Sequence, residues 1–177
     1  MFSEALNHEN LNLQTNTPVK EISATPNTDG FWSVTTGRGI INARKVVMAT
    51  NAYTAALLPE YQEKIIPYRA ICSHIVAPNP PMLADSYAIR FSPRDFDYLI
   101  PRPDGSIIVG GARSAYFRHK DDWYGNVDDT KVIERTKDYF EGYMQRHFRG
   151  WENSGAYTEQ VWTGSEYIAL VSMAVSC

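Results

Sequence analysis

Cysteine is nearly absent. The 177 residues hold two, Cys72 inside an apolar run and Cys177 at the end, too few and too far apart for a disulfide framework or a thiolate metal site. Cys72 is expected as a buried free thiol. An excess of basic charge is absent too: 17 lysines and arginines face 20 acidic residues, a formal net charge of −3. Such a chain has no electrostatic footprint for nucleic acid. Long hydrophobic runs are also missing. The longest, Tyr167–Val175, is about half of the ~20 residues a membrane-spanning helix needs, so no membrane partner is expected. Residues Met1–His8 lack the basic flank and apolar core of a secretory signal, and no Asn-x-Ser/Thr sequon occurs. A cytoplasmic or other intracellular location is the expectation.

Several catalytic patterns are missing as well. There is no Walker phosphate loop, no Gly-x-Ser-x-Gly elbow and no His-Glu-x-x-His pair. His8, His74, His119 and His147 have no second His or Cys at ligand spacing, so no metal is expected. Gly37-Arg-Gly-Ile-Ile-Asn42 opens like a dinucleotide fingerprint, but Asn42 stands where the third glycine belongs, and the segment reads as a hairpin between strands. The carboxylate pairs Asp95/Asp97, Asp121/Asp122 and Asp128/Asp129 are placed in loops or at a helix start, capping free backbone amides.

What is present is 44% apolar, enough to build a core. Residues 17–50 read as a β-meander with a tight turn at Asp29-Gly30. Its last strand turns continuously apolar from Val46 to Ala49, the mark of a strand covered on both faces, and ends at Thr50-Asn51. A short helical turn over Ala52–Leu58 is stopped by Pro59, and Ile65–Val76 resumes extended structure. Tyr87–Phe91, Asp97–Ile100 and Ser106–Val109 read as antiparallel strands, the last two joined by a turn at Pro103-Asp104-Gly105. Three- and four-residue spacing of Val132, Thr136, Tyr139, Phe140, Tyr143, Met144, His147 and Phe148 predicts one long helix over 129–148, capped by Asp128 or Asp129 and stopped by Gly150, with its aromatic stripe packed in the core. A final strand is expected at Ala156–Trp162. The order implies an α+β unit beside part of an α/β unit.

Three stretches together carry a resemblance: Thr17-Pro-Val-Lys-Glu-Ile22, Ala43-Arg-Lys-Val-Val-Met-Ala-Thr-Asn-Ala-Tyr-Thr54, and Tyr98-Leu-Ile-Pro-Arg-Pro-Asp-Gly-Ser-Ile-Ile-Val-Gly-Gly-Ala-Arg113. In order and spacing the chain resembles the D-amino-acid oxidase, glycine oxidase and sarcosine oxidase superfamily of FAD-dependent oxidoreductases over most of residues 10–164. The resemblance implies FAD as cofactor, a small amine or amino acid as substrate, and oxidation of its C–N bond by the flavin. It implies a partial FAD-binding α/β domain in residues 1–60, an antiparallel or mixed-sheet substrate domain with one long helix in 61–164, and a tail, 165–177, that departs from the family. By the same resemblance Val19 touches adenine through its backbone, Thr50, Asn51 and Ala52 run beside the cofactor, and Tyr98 faces the substrate. Read from the residues alone, Val19 and Thr50 are equally plain strand positions and Tyr98 a core tyrosine.

Two departures qualify the resemblance. The family's Gly-x-Gly-x-x-Gly segment, whose helix N-terminus binds pyrophosphate, does not occur, and after Gly164 neither the family's glycine-rich stretch nor its arginine follows. The chain is therefore expected to be a truncated or misread form without independent activity. The alternative is a non-catalytic remnant that binds a ligand or protein and self-associates through exposed strand edges.

Overall fold

The computed structural model describes residues 6–7 and 10–169. His8, Cys177, most of Met1–His8 and the end of the tail lie outside the described residues. The chain divides into two units, one comprising residues up to Thr50 with Thr54–Tyr61, the other Asn51–Tyr53 with the chain from Gln62 onward. Among the described residues no helix is long and apolar enough to cross a membrane.

The first unit is a three-stranded antiparallel meander, β1 (Val19–Ile22), β2 (Trp32–Thr36) and β3 (Gly39–Ala43), in the order β1-β2-β3. Its turns form as their residues dictate. Asn27 Oδ1 accepts from the amides of Asp29 (3.0 Å) and Phe31 (2.9 Å), and Gly30 takes the positive φ of 80° that the turn requires. The Gly37-Arg-Gly39 segment is the β2–β3 hairpin, with Thr36 opposite Gly39. The helical turn is a 3-10 turn, Asn51–Tyr53, followed by α1 (Thr54–Leu57).

The expected covered strand at 46–49 is not there. Residues 46–50 pair with no strand, and Val47 is 88% exposed. A run apolar on both faces becomes a strand only between neighbours that supply its ladder and cover it, and the three strands of this unit pair among themselves.

The second unit is a five-stranded antiparallel sheet of β4 (Ile65–Val76), β5 (Tyr87–Ser92), β6 (Asp95–Pro101), β7 (Ile107–Gly110) and β8 (Tyr157–Ala169), ordered β5-β6-β7-β4-β8. The expected strands at 65–76, 87–91, 97–100 and 106–109 are all present. β8 is longer than expected, and its register with β4 continues past Gly164 to Ala169. Period-two alternation sends Ile71, Ile75, Leu99, Ile107 and Val109 to one face, where Tyr116, Trp123, Ile133, Phe140, Tyr143, Met144 and Trp151 complete the core. Arg69 is buried on that side and donates to the carbonyls of Asp122 (3.0 Å) and Lys131, tying the 120–131 loop to the sheet.

The long helix over 129–148 is replaced by a 3-10 turn, Glu134–Thr136, further turns, and α3 (Tyr143–His147); a second short helix, α2, spans Arg113–Tyr116. Gly142 interrupts the helical path by taking φ 60°, which L-residues resist. Asp128 caps a turn, its Oδ1 accepting from the amide (3.1 Å) and hydroxyl (2.5 Å) of Thr130, and these bonds hold its carboxyl below its ordinary value. The aromatic stripe packs in the core through Phe140, Tyr143 and Met144, because successive turns keep much the same spacing as a helix.

Buried phenols make the fold alkali-sensitive. Tyr68, Tyr98, Tyr139 and Tyr143 are pushed well above the ordinary 10.0, chiefly by burial, and Tyr116 to about 12. Each favours the neutral form in the folded chain, so their contribution to stability is full below pH 10 and lost as pH rises through the raised values. In an alkaline titration followed by tyrosinate absorbance, the folded chain is expected to lag behind the denaturant-unfolded chain by these five of its eleven tyrosines. Superimposable curves would refute this.

Candidate functional site

Opposite the core, the five-stranded sheet presents a half-buried second face. Register fixes one rung across it: Ala88, Tyr98, Gly110, Cys72 and Trp162 lie side by side on β5, β6, β7, β4 and β8. Because Gly110 has no side chain, the Tyr98 ring lies flat over it and brings its hydroxyl 3.0 Å from Cys72 Sγ. Burial pushes the Tyr98 phenol up, and its contact with Cys72 adds to this. The Cys72 thiol is also raised by burial, and the Tyr98 hydrogen bond partly offsets the shift. Cys72 is thus free but half-buried and outside the core cluster, since its strand parity is opposite to that of Ile71 and Ser73.

Two rungs along, Tyr68 stands opposite Glu166 and donates its hydroxyl to Glu166 Oε2. Burial and this carboxylate together push the Tyr68 phenol up. At the other end of the face, an irregularity in the β4–β8 register sets Glu159 against His74, with Nδ1 2.8 Å from Oε2; bulges re-aim side chains in this way.

The sequence-predicted residues fall in two groups. Val19 is on β1, an edge strand of the meander, whose outer backbone side faces no strand of its unit. Thr50 closes no strand; its hydroxyl lies 2.9 Å from that of Thr54. Asn51, at φ 47°, and buried Ala52 belong to the 3-10 turn that packs against β4 and β8, in the same unit as Tyr98. The meander unit has its own cleft of about 650 Å³, lined by Trp32, Arg44, Val46, Met48 and Leu57 among others; neither Val19 nor Thr50 lines it.

Sequence reasoning missed Asp97. It lies on strand β6, as the strand reading of 97–100 expects and the loop-capping reading of Asp95/Asp97 does not, and is fully buried. Its Oδ2 accepts from the hydroxyls of Tyr139 and Tyr143, each at 2.7 Å, and its Oδ1 from the amide of Ala112 at 2.8 Å. This carboxylate is structural: it locks the 139–143 turn and the residues leaving β7 onto the sheet. Alternation with Leu99 was the available signal that it points inward. Glu166 was missed because its stretch was read only as a departing tail.

The model for the family DAO, FAD dependent oxidoreductase, matches residues 2–172. No curated protein matches the chain. Among solved structures, glycine oxidase from Geobacillus kaustophilus is similar at 18% identity and a TM-score of 0.60, over 87% of this chain and 37% of that one. NikD, an unusual amino acid oxidase essential for nikkomycin biosynthesis, is similar at 18% identity and 0.59, over 86% and 39%. L-proline dehydrogenase from P. horikoshii shows 23% identity and 0.55, over 86% and 37%. The fold is the one these enzymes share, and the chain spans less than two fifths of their length.

Proposed function

The chain belongs to the DAO family of FAD-dependent oxidoreductases, and from that premise we propose that the whole protein oxidises the C–N bond of a small amine or amino acid, this chain supplying the sheet that faces the substrate. The supporting observation is the Tyr98–Gly110–Cys72 rung on the face opposite the core. There a phenol forms an amphipathic wall with one hydrogen-bonding tip.

FAD is the cofactor that the family implies. The described residues do not fit its pyrophosphate: the longest helix, α3, has five residues, and no glycine-rich strand–turn–helix occurs among them. What these residues offer is more limited. In this reading Val19 gives backbone groups of an edge strand to adenine, Thr50, Asn51 and Ala52 run beside the cofactor, and Tyr98 positions the substrate.

Titrating FAD into the full chain, followed by flavin fluorescence and then by visible absorbance after desalting, tests the reading. Saturable binding that small amines perturb and desalting removes is the expected result. Absence of saturable binding would overturn it in favour of a non-catalytic remnant that self-associates. Exposed Val47 and Ile40, the latter 66% accessible on edge strand β3, favour that second reading, and size-exclusion chromatography of the same sample would then show assemblies.

A further inference from the structure

Between the two rungs already described lies a third, and it carries almost no side chain. Ala70 stands opposite Gly164, and a Cβ built on Gly164 would meet nothing within 4 Å. The result is a shallow dish on the second face. Its floor is Ala70 and Gly164, one end is Tyr68 with Glu166, and the other is Cys72 with Trp162, over which the Tyr98 hydroxyl reaches from the side. Four residues of strand separate the two ends, on the order of 13 Å, room for a small organic molecule lying along the strands.

The chemistry of the dish is one-sided. Its walls are aromatic, and the one charge carried by these three rungs is the Glu166 carboxylate; no lysine or arginine lies on them, and Arg113, off the rungs, bears on Tyr68 more weakly than Glu166 does. Among the described residues Glu166 has no ion-pair partner; its charge instead bears on Tyr68, Tyr98 and Cys72, helping to raise all three. A carboxylate among aromatic faces is the complement of an organic cation, since ring quadrupoles and the anion both attract an ammonium. It is a poor site for a second carboxylate.

We infer that this dish is the amine-recognition site, with Glu166 the residue that selects a substrate bearing an ammonium group and no carboxylate. The inference rests on the family reading above and narrows its substrate class from amines and amino acids to simple amines. Glu166 acts by binding and orienting the nitrogen; the apolar remainder of the substrate lies over Gly164 toward Trp162.

Ligand-observed NMR titrations of the full chain with benzylamine as its ammonium ion, benzyl alcohol and benzoate, without FAD, test it. Benzylammonium is expected to bind more tightly than either of the others, with an affinity that falls as salt rises. Glu166→Gln is expected to weaken benzylammonium roughly fivefold and to leave benzyl alcohol unchanged, while Gly164→Val, which fills the dish, weakens both. Glu166→Asp, which keeps the charge, retains part of the preference and guards against a folding artefact. Benzoate binding as tightly as benzylammonium, or Glu166→Gln leaving benzylammonium unchanged, would overturn the inference. Since no flavin enters these titrations, an ammonium preference without FAD binding would sink the cofactor reading alone, and FAD binding without the preference would sink this one alone.

Discussion

Replacing Asp97 with alanine is expected to cost about 4 kcal/mol of stability, enough to unfold many domains of this size. The carboxylate is fully buried and gathers three donors, the hydroxyls of Tyr139 and Tyr143 and the amide of Ala112. Removing it strands them where water has little access, and each stranded group costs about 1–3 kcal/mol. The sum is held below three full penalties because Tyr139 is only half-buried and its hydroxyl can turn outward. Asp97→Asn should cost less, since the amide oxygen still accepts, but its NH₂ faces groups that themselves donate. Urea unfolding of the three proteins checks the order. A cycle with Tyr143→Phe supplies the coupling, because deleting the phenol hydroxyl in the alanine background removes one stranded donor and should restore part of the loss. A midpoint for Asp97→Ala close to that of the parent would show that the carboxylate is dispensable.

The same network shows where sequence reading succeeds and where it stops. Strands β4, β6 and β7 could be read because their side chains alternate against one core, and Pro103-Asp104-Gly105 marks its turn by local chemistry: Gly105 takes φ 83° and its amide bonds the Arg102 carbonyl at 3.0 Å. The two phenol partners of Asp97 lie 42 and 46 residues away and the Ala112 amide 15, and no local pattern names them. Two elements misled for opposite reasons. Val46–Ala49 has the composition of a covered strand, but composition cannot show whether neighbours exist. The 129–148 stretch has helical spacing, yet one glycine, Gly142, in the left-handed region turns the helix into short turns that bury the same side chains. At the candidate site, Tyr98 is named by the resemblance alone, whereas Glu166 and the space over Gly164 appear only when β8 is laid against β4 in register.

Adjacent glycines at the end of β7 should respond very unequally to the same change. Gly111→Ala is expected to destabilise by about 3 kcal/mol or more. Its φ of 135° is a conformation that alanine resists, and the new Cβ would overlap Asp97 Oδ1 and lie 2.9 Å from Asp97 Cα, a backbone atom held within β6 that cannot move aside. Accommodating the methyl group means shifting β6 or breaking the carboxylate from Ala112, so the cost draws on the network that Asp97→Ala removes, and the two should not add. At Gly110 the φ is unexceptional, and the obstacle is the Tyr98 ring, a side chain on the half-open face that can swing. Gly110→Ala should therefore keep the fold at a cost nearer 1 kcal/mol, while parting the Tyr98 hydroxyl from Cys72 and leaving that thiol open to alkylation. Unfolding midpoints for the two variants, with modification of Cys72 mapped by mass spectrometry, separate the cases. Equal destabilisation with no change at Cys72 would mean that Tyr98 is held as firmly as the core beneath it, and hence that the Tyr98–Gly110–Cys72 rung is part of the scaffold and not a surface free to adapt to a ligand.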